Sequence, residues 1–418
     1  MVLPKESGLD HSVNLLKEGY CFIPNRMRAS NTSVIQTRLL GQKVICIRGQ
    51  EAAELFYNQD LFKRQGAAPR RILKSLFGKG GVQGLDEQAH KHRKALFMDL
   101  MTCDSLKKIK QIAEKQWEIA IKRWEAIEEV ELFHELEKLM CITACQWTGV
   151  PIRAINLHTR TSDLSAMIDA FGAAGPRHWR GRIARKRAEK WITYIVEEVR
   201  HSNIIIDSNT PLYKITWHRD LSGELLDVHT AAVEVLNLLR PITAIGRFIT
   251  FSTLALYEFP EAKQEIMSGD NRDQNKEMFV QEVRRYYPFA PFTGARVNRD
   301  FTWNHVLFKK NTLVLLDIYG TNHDSTLWEN PYTFNPKRFL KWEGNPFNFI
   351  PQGGGEYDLG HRCAGEWITI ELMKSSLHFL TERMSYEIPE QDLRYSLKRM
   401  PAIPANRLII NHVRRCSY

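Results

Sequence analysis

One cysteine in this chain sits where a sulfur could serve as a metal ligand. The segment Phe349-Ile350-Pro351-Gln352-Gly353-Gly354-Gly355-Glu356-Tyr357-Asp358-Leu359-Gly360-His361-Arg362-Cys363-Ala364-Gly365-Glu366 runs from glycines into Cys363, and a helical pattern from Trp367 to Lys374 follows at once. The cysteine therefore falls at a helix N-terminus, where free N–H groups and the positive end of the dipole favour a thiolate. Residues without a Cβ let the backbone press against something large and flat. No CxxC partner accompanies Cys363, which argues against zinc and dithiol chemistry. A buried structural thiol is the ordinary reading of a lone cysteine. Here the glycines and the His361-Arg362 pair, cations able to meet carboxylate groups, favour a haem iron held by thiolate, with propionates held by nearby cations.

Two further motifs precede this loop. Glu282 and Arg285 stand three apart on one face of a helical run from Lys276 to Tyr287. Then Phe334-Asn335-Pro336-Lys337-Arg338-Phe339 forms a turn with an arginine between aromatic residues. An E-x-x-R alone is common, but the order E-x-x-R, F-x-P-x-R-F, C-x-G resembles the cytochrome P450 family over essentially the whole chain. The resemblance implies one domain over residues 1–418, mainly α with a small β component, with haem b between a long crossing helix and the cysteine loop. It implies Cys363 as the axial ligand of the haem iron, a structural network of Glu282, Arg285 and Arg338, and a propionate site that includes His90 and Lys94, one turn apart on a helix, beside His361. For His90 and Lys94 an ordinary basic surface helix is the alternative.

The crossing helix carries the most informative departure. A helical pattern from about Val228 to Tyr257 would span a whole domain at about 1.5 Å per residue, and Glu234, Arg240 and Arg247 in its interior argue against a membrane span. Monooxygenases of the family carry an acidic residue followed by threonine here, as a proton relay to dioxygen. This chain reads Leu238-Leu239-Arg240-Pro241-Ile242-Thr243-Ala244. Proline removes an i to i−4 bond and opens the groove. A guanidinium facing an apolar cavity implies an anionic partner, and its planar fork matches a carboxylate.

The Arg240-Pro241 pair and the Gly-Gly-Gly and Gly-His-Arg-Cys elements resemble the peroxide-using fatty-acid hydroxylase branch of the family. Where the broader family has phenylalanine seven and glycine four residues before the cysteine, this loop has Glu356 and Leu359. The resemblance implies that a long-chain fatty acid docks its carboxylate on Arg240, and that this carboxylate acts as the general acid/base on hydrogen peroxide. Hydroxylation at the α and/or β carbon follows from that anchoring, with no NAD(P)H and no obligate redox partner. Phe77, Phe171, Phe289 and Phe292 are candidates for the alkyl channel, although aromatic residues are more often core. Relatives that form terminal alkenes tend to have histidine where this chain has Gln83. A neutral glutamine lacks that proton chemistry, so hydroxylation is favoured with alkene as a minor product. Gln83 anchoring a loop or a water is the alternative. Two other functions remain open: a conventional reductase-dependent haem-thiolate monooxygenase, and a non-catalytic haem or fatty-acid binding protein.

Several elements must position these residues. Val34 to Arg48 alternates around Gly41-Gln42 as a hairpin, Gln50 to Tyr57 is helical, and Arg70 to Gly81 is a helical stretch that stops at glycines and leads to Gln83. The resemblance places this last region above the haem. Helices dominate from Ser105 to Trp147 and from Lys186 to Ser202. The 418 residues, 43% of them hydrophobic, show no linker or repeat. Seven scattered cysteines suit a reducing compartment, and Met1 to Asn14 has no apolar run for a signal or anchor, so a cytoplasmic, bacterial protein is expected. Asn31-Thr32-Ser33 matches a glycosylation pattern only on paper. The net charge of +10 gathers partly in Arg177 to Arg187, a basic helix without a nucleic-acid motif. It reads as a solvated face, or as one that attracts anionic substrates.

Overall fold

The computed structural model describes residues 4–268 and 271–416, so the first three residues of the N-terminal segment read above lie outside it. After shorter helices at Ser12–Glu18, Phe22–Ser30 and Gln50–Phe56, the helices that frame the site include α1 (Glu87–Met98), α2 (Cys103–Trp124), α3 (Leu132–Thr148), α4 (Ala154–Asp169) and α5 (Pro176–Arg200). There follow α6 (Val228–Glu258), α7 (Arg272–Tyr286) and α8 (Glu366–His378). Strands are fewer, so the expected mainly helical architecture with a small β part is what forms.

The 31 residues of α6 form the axis of the molecule. Asp227 caps its start by accepting the Thr230 N–H at 2.9 Å, and the helix is buried on every side through its middle, from Ala231 to Leu239 without a break. Such a helix must satisfy its own polar groups. Its hydroxyls do so by bonding back one turn, as Thr243 does to the Leu239 carbonyl at 2.8 Å and Thr250 to that of Gly246 at 2.8 Å. α6 runs unbroken through Pro241. At Gly246 a side chain would press on the Glu137 nitrogen at 3.1 Å, so glycine is what lets α6 lie close along α3. No helix among the described residues is long and apolar enough to cross a membrane. The buried charges of α6 are the reason: Glu234 pairs with Arg93, and Arg247 lies 3.8 Å from Glu137 and 3.7 Å from Asp169.

The β part sits at the opposite edge. The expected hairpin forms from β1 (Val34–Leu39) and β2 (Gln42–Ile47), paired antiparallel with Val34 opposite Ile47. With β3 (Phe62–Lys63), β4 (Phe292–Val297) and β5 (Leu313–Asp317) it makes one sheet in the order β1-β2-β5-β4-β3. The strands bury Val34, Ile45, Ile47, Val314 and Leu316 against the helix Gln50–Phe56. The basic segment of α5 is mostly solvated, with Arg180, Lys186 and Arg187 exposed. Arg185 departs from that reading: it is fully buried, and its Nη1 donates to the Leu76 carbonyl at 2.8 Å.

Candidate active site

Cys363 lies three residues before α8, held from both sides. Its N–H donates to the Gln352 carbonyl at 3.2 Å, and Gln352 Nε2 approaches the sulfur at 3.8 Å. Gln352 is itself fixed by Arg284 Nε at 3.2 Å and by Thr369 Oγ1 at 3.0 Å. Glu366, buried in the first turn of α8, accepts from Arg362 Nε at 2.6 Å and from Arg284 Nη2. Arg362 is thus committed inside the loop, which corrects its reading as a free cation for a carboxylate ligand. A Cβ at Gly353, Gly354 or Gly355 would meet the Tyr57 side chain at 3.0, 3.1 and 3.0 Å, so these glycines make room for that ring. Burial pushes the Cys363 thiol up and Glu366 adds to this, while the Gly365 N–H, Lys94 and Arg284 pull it down. The helix end alone therefore does not make the thiolate, whereas metal ligation would.

Next to the loop is a group of basic side chains. His90 and Lys94 of α1 are buried, which overrides the surface-helix alternative, and the His90 and His361 rings lie 3.8 Å apart. Arg64 joins them, stacked 4.3 Å over Phe56. Among the described residues no carboxylate pairs with the side chains of Arg64, His90 or Lys94; Asp86 Oδ1 lies 3.8 Å from His361 Nε2 and accepts from the Arg64 backbone N–H at 2.6 Å, and His90 Nδ1 has no hydrogen-bond partner. Burial and the neighbouring Lys94 push His90 down to about 4; burial with Arg64, His90 and Lys94 pushes His361 down to about 2. Buried basic groups that repel one another call for an anion between them, and two propionates are a matching charge. The residues present therefore fit a haem, with Cys363 to ligate the iron and Arg64, His90, Lys94 and His361 to hold the acid groups. Arg64 escaped the sequence reading because it stands in a short strand region with no motif around it.

Arg240 is the third component. It is buried, its Nη2 donates to Asn237 Oδ1 at 3.2 Å, and its Nε has no partner. Burial and the nearby Arg185 push its guanidinium down to about 9, and the negative sulfur position of Cys363 acts in the opposite sense. Its guanidinium carbon sits 5.7 Å over the ring of Phe77. Phe77 lines a cavity of about 760 Å3 together with Gln83, Phe171, Phe292, Arg64 and His361. No aspartate or glutamate is among the lining residues. Phe289 instead stacks on Phe248 at 4.6 Å and lies outside that lining. Gln83 Oε1 accepts from Asn237 Nδ2 at 3.1 Å, so the glutamine does tie its loop to α6. Asn237 was not singled out in the sequence; its position three before Arg240 on α6 is the signal that could have found it.

The supporting network forms away from the cavity. Arg285 grips Glu282 at 2.7 and 2.8 Å, Arg338 Nε meets Glu282 at 3.2 Å, and the Asn335 N–H donates to it at 2.8 Å. Arg284, beside that motif arginine, supplies the link to the cysteine loop described above.

The cytochrome P450 family model matches residues 276–410. Among curated proteins, cytochrome P450 1A1 of Oryzias latipes is 30% identical over 34% of this chain and 30% of its own length. Cytochrome P450 1A2 of Canis lupus familiaris is 25% identical over 41% of this chain and 38% of its own. The chain thus spans about a third of the length of the curated relatives it matches. Solved structures match throughout. Cytochrome P450EX alpha with myristic acid is 44% identical with a TM-score of 0.97, covering 100% of both chains. A variant of cytochrome P450 OleT in complex with arachidonic acid is 36% identical with a TM-score of 0.96, again over 100% of both.

Proposed function

Because the chain belongs to the cytochrome P450 family, we propose that it is a peroxygenase that uses hydrogen peroxide to hydroxylate long-chain fatty acids at the α and/or β carbon, with terminal alkene as a minor product. The observation that carries this is Arg240: a buried guanidinium with an unpartnered Nε, set over the ring of Phe77, which itself lines a cavity with no acid among its lining residues. A substrate carboxylate supplies the missing anion. Its two oxygens match the guanidinium fork, and Asn237 holds that fork in one orientation through Nη2. Similar proteins whose structures carry myristic and arachidonic acid support the substrate class.

The haem, held by Cys363, supplies the oxygen-transfer chemistry when bound. The side chains do the rest. Arg240 pins the acid group, and that carboxylate is then the base that takes a proton from one oxygen of hydrogen peroxide and returns it to the other, so that water leaves. The relay residues of the monooxygenases are replaced at Arg240-Pro241, and the substrate itself fills their role. Phe77, Phe171 and Phe292 line the cavity and offer apolar surface to the alkyl chain. Anchoring at one end leaves the carbons next to the acid as those presented for attack. No reductase is needed in this scheme, and the free cysteines fit a reducing cytoplasm.

Arg240→Ala tests the reading. With myristate and hydrogen peroxide the variant is expected to keep its haem and to lose about 100-fold or more in kcat/KM, the scale of a missing general base. Undiminished turnover in that variant would remove the carboxylate-assisted mechanism. Spectral binding of myristate by the wild type without any peroxide turnover would favour a binding protein instead.

A further inference from the structure

Asn237 can anchor Arg240 only if its carbonyl oxygen, and not its amino group, faces the guanidinium. Which way an amide points is settled by its other neighbours. Asn237 Nδ2 has two acceptors, Glu234 Oε2 at 2.8 Å and Gln83 Oε1 at 3.1 Å. Both amino hydrogens are therefore consumed on the side away from Arg240. Glu234 is wholly buried in α6, and Arg93 Nη1 of α1 donates to its other oxygen at 2.7 Å, with the Val82 N–H also directed at it. Burial pushes the Glu234 carboxyl up, while Arg93, Asn237 and the Val82 N–H pull it down, and as the ion-pair partner of Arg93 it accepts from each of these donors.

We propose that the buried Arg93–Glu234 pair is a positioning unit that fixes the hydrogen-bond polarity of the chain Gln83, Asn237, Arg240 and thereby aims the guanidinium at the substrate. This rests on the reading that Arg240 holds the substrate carboxylate. Glu234 is bonded to Arg93 and Asn237 and reaches Arg240 only through Asn237, so it acts on the guanidinium and not on the fatty acid. The device has an unusual sensitivity to one atom. In Glu234→Gln the Arg93 donor keeps the new carbonyl for itself, and the new amino group turns toward Asn237. Asn237 must then accept there, its amino group swings toward Arg240, and two donors face each other. The anchor on Nη2 is lost without any change in side-chain volume.

Pairing the change with Arg93→Met gives the opposite expectation. Once no guanidinium claims its carbonyl, the introduced glutamine can present that oxygen to Asn237 and to the Val82 N–H, and the original polarity returns. A purely structural role for the ion pair would make the double variant no better than the single one.

The test is calorimetric titration of the haem-loaded protein with myristate, with circular dichroism and haem content as controls for folding. Glu234→Gln is expected to bind about tenfold more weakly, the effect of losing one buried hydrogen bond to a charged group, and Arg93→Met with Glu234→Gln is expected to return within about threefold of the wild type. In an Arg240→Ala background Glu234→Gln should change nothing further. Should Glu234→Gln fail to fold, the double variant decides alone: affinity near that of the wild type supports the unit, and a tenfold loss overturns it. Unchanged affinity in a folded Glu234→Gln also overturns it, provided Arg240→Ala has lost binding. If Arg240→Ala binds myristate as tightly as the wild type, the carboxylate reading has failed and the unit fails with it.

Discussion

A guanidinium sealed from water without a counter-ion sets the chemistry at the scale of single residues. Arg240 was legible in the sequence because an arginine followed by proline interrupts an otherwise apolar helical run. Its restraints were not, since an asparagine and a glutamate on the same helix, Asn237 and Glu234, look like ordinary polar positions until the fold brings Gln83 and Arg93 against them. Gln83 lies at the junction of the two readings. It touches the cavity, and it also ties its loop to α6 through Asn237. Replacing it by histidine puts a titratable ring beside the bound acid, so Gln83→His is expected to raise the fraction of terminal alkene at the expense of hydroxy acid. Product analysis by mass spectrometry checks this, and an unchanged ratio would leave Gln83 as an anchor only.

The element that the sequence made most conspicuous, the glycine-rich loop before Cys363, packs closely on Tyr57. Composition shows that a close approach is needed, but not to what, because Tyr57 is about 300 residues away along the chain. Gly354→Ala would drive its methyl into the Pro346 carbonyl and to 3.1 Å from Tyr57, and neither backbone nor packed ring can yield cheaply. A loss of about 2–4 kcal/mol in stability is expected, with haem lost on gel filtration. Gly84→Ala is the control: its φ is not positive and nothing lies within 4 Å of the added methyl, so a change within about 0.5 kcal/mol is expected. Thermal melts distinguish the two. The same element scale explains why Arg284 was missed. It reads as the neighbour of a motif arginine, and only the docking of α7 on the cysteine loop gives it Gln352 and Glu366 as partners.

Across the whole molecule, the hairpin, the long helix and the mainly helical class followed from periodicity and turn residues, whereas the gathering of Arg64, His90, Lys94 and His361 depends on contacts between distant segments. That cluster predicts a pH response of the haem-free chain. His90 titrates at about 4 and His361 at about 2 in the fold, against 6.5 for an ordinary histidine. The unfolded chain therefore binds protons first as pH falls. The stability contributed by these neutral rings is complete above about 6.5 and is lost progressively toward about 4 for His90 and about 2 for His361. Thermal midpoints of the haem-free chain should fall over that window, and more steeply than those of the haem-loaded protein, in which propionates offset the positive charge. Equal slopes would mean that the cluster does not hold the acid groups. The most direct measurement for the account as a whole gives the haem-loaded protein myristate and hydrogen peroxide, with no reductase and no nicotinamide cofactor, and identifies the products by mass spectrometry. The expected products are 2- and 3-hydroxymyristate; a protein that yields none of these, but oxidises myristate once a reductase and NADPH are supplied, is not a peroxygenase.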